Sequence, residues 1–232
     1  MAKNGEVLEL GSLAQQQQGG WQRIIWRRFD LRAIYRRLGW RFRQKRLRWL
    51  EAHFSDCASV LDIGGHPNYW KHCNWRPRHL TLLNLALSGQ TLPSGVQEIT
   101  GDGCALALPD RSFDLVMSNS VIEHVADHAK FASESLRVGK RLYCQTPSKW
   151  FPVEPHYLGL FVHWLPKRFF THFVHRYLTI AGLLTKPDAA TTEESKNEIH
   201  LLGKTELRHI FPGCAIETER FLGLPKSYMV WR

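Results

Sequence analysis

The sequence predicts an α/β protein: a doubly wound, mostly parallel seven-stranded sheet behind a basic helical arm, with an aromatic cap inserted after the fifth strand. Three observations predict it. The stretch Val60-Leu61-Asp62-Ile63-Gly64-Gly65 is an apolar run ending in an acid and two glycines, the form of a parallel strand buried on both faces that turns sharply beside a ligand. Strand-like and helix-like stretches then alternate, with polar residues at the C-terminal end of each strand, the edge where open α/β sheets bind ligands. Finally, charge is segregated. Residues 21–50 hold eleven Arg or Lys and one acid, Asp30, whereas the totals of 31 basic and 21 acidic residues leave 20 of each elsewhere.

At 232 residues the chain accommodates one α/β domain with an appendage. No apolar run is long enough to span a bilayer, and the N-terminus lacks the apolar core of a secretory signal. Five scattered cysteines without a C-x-x-C pair fit free thiols in a reducing compartment, and a cytoplasmic location is expected. His66, His72, Cys73 and His79 fall close together, but their spacing matches no standard zinc pattern. No metal is expected.

Residues 1–20, with Gln15 to Gln18 and Gly19-Gly20, read as a disordered tail. Residues 21–50 read as one or two helices. Ile24, Leu31, Tyr35, Leu38, Phe42 and Trp49 keep one apolar stripe, and arginines fill the other faces. Such an arm packs its stripe on the domain, lies on an anionic membrane surface, or meets nucleic acid.

The domain itself, 51–232, opens with strand one at Ser59 to Ile63, followed by a short helix from Asn68 to His72. Leu80 to Leu85 is strand two. Asn84 stands about 20 residues past the glycines, where dinucleotide folds place the acid that holds a ribose; its side-chain carbonyl can accept from a hydroxyl. Val96 to Thr100 is strand three, with Asp102 at its tip, either a turn acid or an acceptor for an amino group. Phe113 to Ser118 is strand four, His128 to Arg137 a helix, and Arg141 to Cys144 strand five. Residues 148–198 break the pattern with Trp150, Phe151, Tyr157, Phe161, Trp164, Phe169, Phe170, Phe173 and Tyr177, the expected cap, in which Asp188 to Asn197 reads as a loop. Thr205 to Phe211 is a helix with Thr205 as N-cap. Cys214 to Leu222 and Ser227 to Trp231 are strands of a terminal hairpin, expected to add an antiparallel edge.

Val60 to Gly65, Tyr69-Trp70, Gly101-Asp102, Ser112 to Val125, Gln145 to Pro155 and Gly203 to Trp231 together resemble a class I S-adenosylmethionine-dependent methyltransferase of the type 11 branch, over about residues 45–232. Ser118 to Val125 is the most specific part. The resemblance implies a Rossmann-like methyltransferase fold with a reversed last strand, and S-adenosyl-L-methionine as cofactor. It implies that Asp62, Gly64 and Gly65 hold the methionine part, Asn84 the ribose, Asp102 and Gly103 the adenine, and that Asn119 lines the cofactor near the methyl group. His66 and Asn68 stand where the general family motif has glycines, and Asn84 where it has an acid.

The cofactor brings its own electrophile, so the protein chiefly aligns nucleophile and methyl. Glu123, His124 and His156 are the candidate catalytic residues. The alternative for Glu123 and His124, and the one favoured, is structural, capping the following helix or bonding the neighbouring loop; that for His156 is a hydrogen bond to a cap carbonyl. The expected acceptor is an O or N nucleophile on a small-molecule, glycan or lipid-linked substrate. Nucleic acid is disfavoured because no Asp/Asn-Pro-Pro-aromatic motif follows strand four. Two other classes compete: an inactive methyltransferase-like adaptor held at a membrane by residues 21–50, and a nicotinamide-dependent oxidoreductase, for which the second and third fingerprint glycines are missing.

Overall fold

A computed structural model describes residues 31–154, 156, 158–166, 174, 179, 180, 183 and 199–232, with side chains from residue 39 onward. The expected tail, the first part of the arm, the loop at 188–197 and most aromatics of the second half of the cap lie outside these residues.

The chain divides into two units, 1–49 and 50–232. A single helix, α1 (Leu31–Phe54), runs through residues of both. Within the first unit, Arg41, Arg43, Lys45 and Arg48 are exposed, while Phe42 and Trp49 of the predicted stripe are half-buried. No helix among the described residues is long and apolar enough to cross a membrane.

In the second unit the elements follow as β1 (Ser59–Ile63), α2 (Pro67–Trp70), β2 (His79–Asn84), β3 (Val96–Thr100), β4 (Phe113–Asn119), a 3-10 turn (Ile122–His124), α3 (His128–Val138), β5 (Gly139–Pro147), β6 (Val153–Glu154), β7 (Gly159–Leu160), a second 3-10 turn (Val162–Trp164), α4 (Lys204–Ile210), β8 (Ala215–Phe221) and β9 (Leu224–Trp231). Seven strands form one sheet in the order β3-β2-β1-β4-β5-β9-β8. β1 to β5 pair in parallel. β9 runs antiparallel to both its neighbours.

The apolar strands are buried as their sequences require. Val60, Leu61, Leu82, Leu115, Val116 and Met117 have no measurable exposure. Phe131 and Ala132 of α3, Leu207 of α4 and Val230 of β9 join Leu61, Val116 and Leu142 in one core. At the opposite end of the sheet from the strand tips, Arg141 lies 4.5 Å over the Phe54 ring and pairs with Asp56 at 2.7 Å. Phe54 packs edge-on against Tyr143.

The terminal hairpin adds an antiparallel edge as expected, with β9 between β5 and β8 and β8 outermost. Three expectations need correction. Thr205 does not cap its helix. α4 starts at Lys204 after Gly203, because the Glu206 carboxylate reaches back to accept from the Gly203 N–H at 2.6 Å, one arm of a capping box. Glu123 and His124 do not cap α3, whose N-cap is Asp127, accepting from the Lys130 N–H at 3.0 Å. Lastly, the short helix after β1 covers Pro67–Trp70, since Pro67 suits the first helical turn and His66 Nδ1 accepts from the Asn68 N–H at 3.1 Å.

The first part of the cap is ordered by pairing that aromatic content did not reveal. β6 and β7 form a small antiparallel hairpin, with Val153 opposite Leu160 and Glu154 opposite Gly159. The Trp164 indole N–H donates to the Lys149 carbonyl at 2.6 Å, and Lys149 pairs with Glu206 at 2.6 Å. This segment is therefore tied back to the end of β5 and the start of α4.

Candidate active site

Five parallel strands bring their C-terminal ends to one edge. Register sets the order along it: Asn84 pairs with Thr100, Ile63 with Leu83 and with Ser118, and Asn119 with Gln145. The predicted residues thus form a row, from Asp102 past Asn84, Gly65 and Asp62 to Asn119.

Asp62 is 3% exposed. Its Oδ2 accepts from the Trp70 indole N–H at 2.8 Å. Burial pushes its carboxyl up to about 7, against the pull of that hydrogen bond. The glycines beside it are required for reasons of packing. A Cβ on Gly65 would stand 2.4 Å from the Asp62 carboxyl, and a Cβ on Gly64 would stand 2.4 Å from Val121 Cγ2, with Gly64 itself at φ +71. Gly64 therefore lets the loop after β4 close over the end of β1. Gly103 is similar, its missing Cβ making room for Phe131 and Ile63.

Asn84 Nδ2 donates to the Gly65 carbonyl at 2.9 Å. An amide, unlike the acid usual at this position, supplies that donor, and Oδ1 remains as acceptor. Asp102 is exposed and its Oδ1 accepts from the Cys104 N–H at 2.8 Å, a local turn bond. Ser118 Oγ and Asn119 Oδ1 are buried without a hydrogen-bond partner, which is costly unless something else supplies one. Ser120 takes a left-handed φ of 57° and is held by two bonds to Gln145, N–H to carbonyl at 2.8 Å and hydroxyl to Oε1 at 3.0 Å.

The three candidate catalytic residues converge. Glu123, His124 and His156 each bring a ligand-capable atom to within 4.8 Å of the others. Glu123 is fully buried. Its Oε2 accepts from the Thr146 hydroxyl at 2.9 Å, its Oε1 has no hydrogen-bond partner, and burial pushes its carboxyl up to about 7. The His124 and His156 rings meet edge to face at 4.9 Å. His156 Nδ1 lies 2.6 Å from Oε1 of Glu154, which is 1% exposed. Burial disfavours a charged His156, yet the Glu154 bond and the charges of Glu154 and Glu123 together hold its pKa above the ordinary value. The sequence offers Glu154 beside His156 in the cap as a group able to orient or deprotonate a nucleophile, and the two are in contact.

A depression of about 500 Å³ lined by Cys104, Leu106, Lys130, Ser133 and Glu134 contains none of the predicted site residues. The grouping of His66, His72, Cys73 and His79 forms no cluster among the described residues.

Residues 72–142 match the family model described as "Methyltransferase domain". An S-adenosylmethionine dependent methyltransferase from Mesorhizobium loti aligns with 81% of this chain and 95% of its own, at 14% identity and a TM-score of 0.50. This is a class I methyltransferase fold. A methyltransferase from Archaeoglobus fulgidus is also similar, at 15% identity and a TM-score of 0.49, over 81% of this chain and 91% of its own. No curated protein matches the sequence. The family match begins beyond Gly65 and does not reach the first glycine motif.

Proposed function

We propose that the protein transfers a methyl group from S-adenosylmethionine to an O or N nucleophile of a small-molecule, glycan or lipid-linked acceptor. The observation that carries this reading is the row of polar residues on the C-terminal edge of the sheet, beside the Glu123–His124–His156 cluster that Thr146 ties to the tip of β5. The Mesorhizobium loti protein of the same fold is an S-adenosylmethionine dependent methyltransferase.

The residues present fit the cofactor. Asn119 Oδ1 is a buried acceptor without a partner, and Asn84 keeps an acceptor for a ribose hydroxyl after its amide bonds Gly65. Asp62, Gly64 and Gly65 take the methionine part, Asp102 and Gly103 the adenine, and Asn119 the region of the methyl group. The cofactor supplies a sulfonium-activated methyl. The chain's own work is to hold the acceptor in line and to activate its nucleophile, a task assigned to His156 with Glu123 and His124. The first part of the cap, which carries His156, borders the acceptor side.

The test is calorimetric titration of the full chain with S-adenosylmethionine and, separately, with NADH. Binding of the first alone supports the reading, binding of the second alone supports an oxidoreductase, and silence with both supports an adaptor without activity. A screen of acceptors with methyl-labelled cofactor then identifies the substrate class.

A further inference from the structure

We propose that Glu123, His124 and His156 form a binding site for a divalent transition-metal ion, with Glu154 as the residue that orients His156. The metal site stands on the cluster's own geometry, and its part in catalysis rests on the methyl-transfer reading.

Two imidazoles and one carboxylate are a donor set that suits zinc and its first-row neighbours. Their candidate atoms lie within 4.8 Å of one another. Ligands at bond lengths of about 2.0–2.2 Å around a tetrahedral ion stand about 3.3–3.6 Å apart, so small side-chain rotations close the site. Three independent features point the same way. First, Glu123 Oε1 is buried and has no hydrogen-bond partner, while Oε2 is fixed by Thr146. A carboxylate is held in place with one oxygen left over. Second, Glu154 sits at 2.6 Å from His156 Nδ1. A carboxylate on one ring nitrogen fixes the proton there and leaves the lone pair on the other, the arrangement that prepares a histidine ligand. Third, the Thr146 bond joins Glu123 to the tip of β5 and the β6–β7 hairpin carries His156, so the backbone holds both ligands.

Three protein ligands leave a position open for an exogenous oxygen. The acceptor that suits the site is therefore a hydroxyl. Coordinated there, the acceptor's O–H bond breaks with the proton passing to water. The oxygen's electron pair then forms the C–O bond while the methyl–sulfur bond breaks, and the sulfonium becomes a neutral thioether. No oxidant or reductant is needed. An amine acceptor would gain nothing, since its lone pair would be tied up by the ion.

The experiment is a titration of the full chain, stripped by a chelator, with cobalt(II), followed by its visible absorption and by displacement with zinc(II). One ion per chain is expected. His156→Ala and Glu123→Gln should weaken it at least tenfold, and Glu154→Gln by about ten- to hundredfold, the range for a lost outer partner. His124 is exposed, so His124→Ala gives the same test where a buried change disturbs the fold. His72→Ala should change nothing. No cobalt band in the parent, or an equal band in His156→Ala, Glu123→Gln and His124→Ala, overturns the proposal. S-adenosylmethionine titrated into the stripped protein separates the two readings: cofactor binding without cobalt binding refutes the metal site alone, and cobalt binding without cofactor binding refutes methyl transfer alone.

Discussion

Trp70 holds Asp62: the indole N–H donates to Oδ2 at 2.8 Å, both side chains being buried. This pair makes a pH dependence. The folded protein keeps the Asp62 proton up to about 7, and the unfolded chain releases it near 3.8. Folding therefore takes up a proton between those values, and by linkage stability falls as pH rises through that window. Asp62→Asn cannot titrate and still accepts from Trp70. Its stability relative to the parent should rise from about pH 4 to about pH 7, measured by urea unfolding across the range. Parallel stability curves would remove Asp62 from this role.

Gly65→Ala forces a methyl group against the Asp62 carboxyl at 2.4 Å. Overpacking of this kind costs about 1–3 kcal/mol, and displacing Asp62 should abolish S-adenosylmethionine binding. Gly64→Val adds a clash with Val121 to an unfavourable φ, so it should both lower the melting temperature and remove binding. Thermal unfolding and calorimetry report the two effects; a Gly64→Val protein that melts and binds like the parent would contradict the packing described.

Asn84→Asp restores the acid usual at the end of the second strand, yet it should not be neutral. The substitution deletes the donor to the Gly65 carbonyl and sets a carboxylate oxygen against it. A loss of about 1–3 kcal/mol in stability is expected from the unpaired carbonyl, with weaker cofactor binding. Equal affinity in the parent and the variant would mean that this hydrogen bond does not shape the site.

His156→Ala should lower methyl-transfer turnover about a hundredfold, the low end for loss of an activating group, with cofactor affinity unchanged. Steady-state rates alongside calorimetry decide it. Unchanged turnover leaves His156 structural, and parallel loss of cofactor binding points to failure of the cap.

For the arm, Arg41, Arg43, Lys45 and Arg48 are exposed on α1. We propose that this basic segment binds anionic membrane surfaces. Vesicle co-sedimentation should show binding to anionic and not to neutral lipid, weakened by salt because exposed charges are screened. Replacing the four residues with Gln should reduce it; equal binding to both vesicle types would rule the mechanism out.

The sheet was legible because a buried parallel strand must be an unbroken apolar run and its tip must carry polar residues. Val60 to Ile63 and Leu115 to Ser118 obey both demands. The place of β9 was not legible, since periodicity marks a strand but not its neighbours. Trp70 belongs to a motif visible in the sequence, but its bond to Asp62 depends on the turn at Gly64-Gly65. The convergence of Glu123 and His124 with His156 depends on the β6–β7 hairpin, a two-residue pairing too short to leave a pattern.

The insertion of β9 between β5 and β8 bears on how freely the cap can vary. β8 and β9 are neighbours in sequence and can form as a local ribbon on a scale of about 1–10 μs. Docking that ribbon on β5 then closes the whole stretch between them, cap included. The entropy of such a closure grows only logarithmically, by about 0.6 kcal/mol for each doubling of length. Lengthening, shortening or exchanging the cap therefore changes the assembly of the sheet very little. The scaffold and the cap can therefore diverge at separate rates.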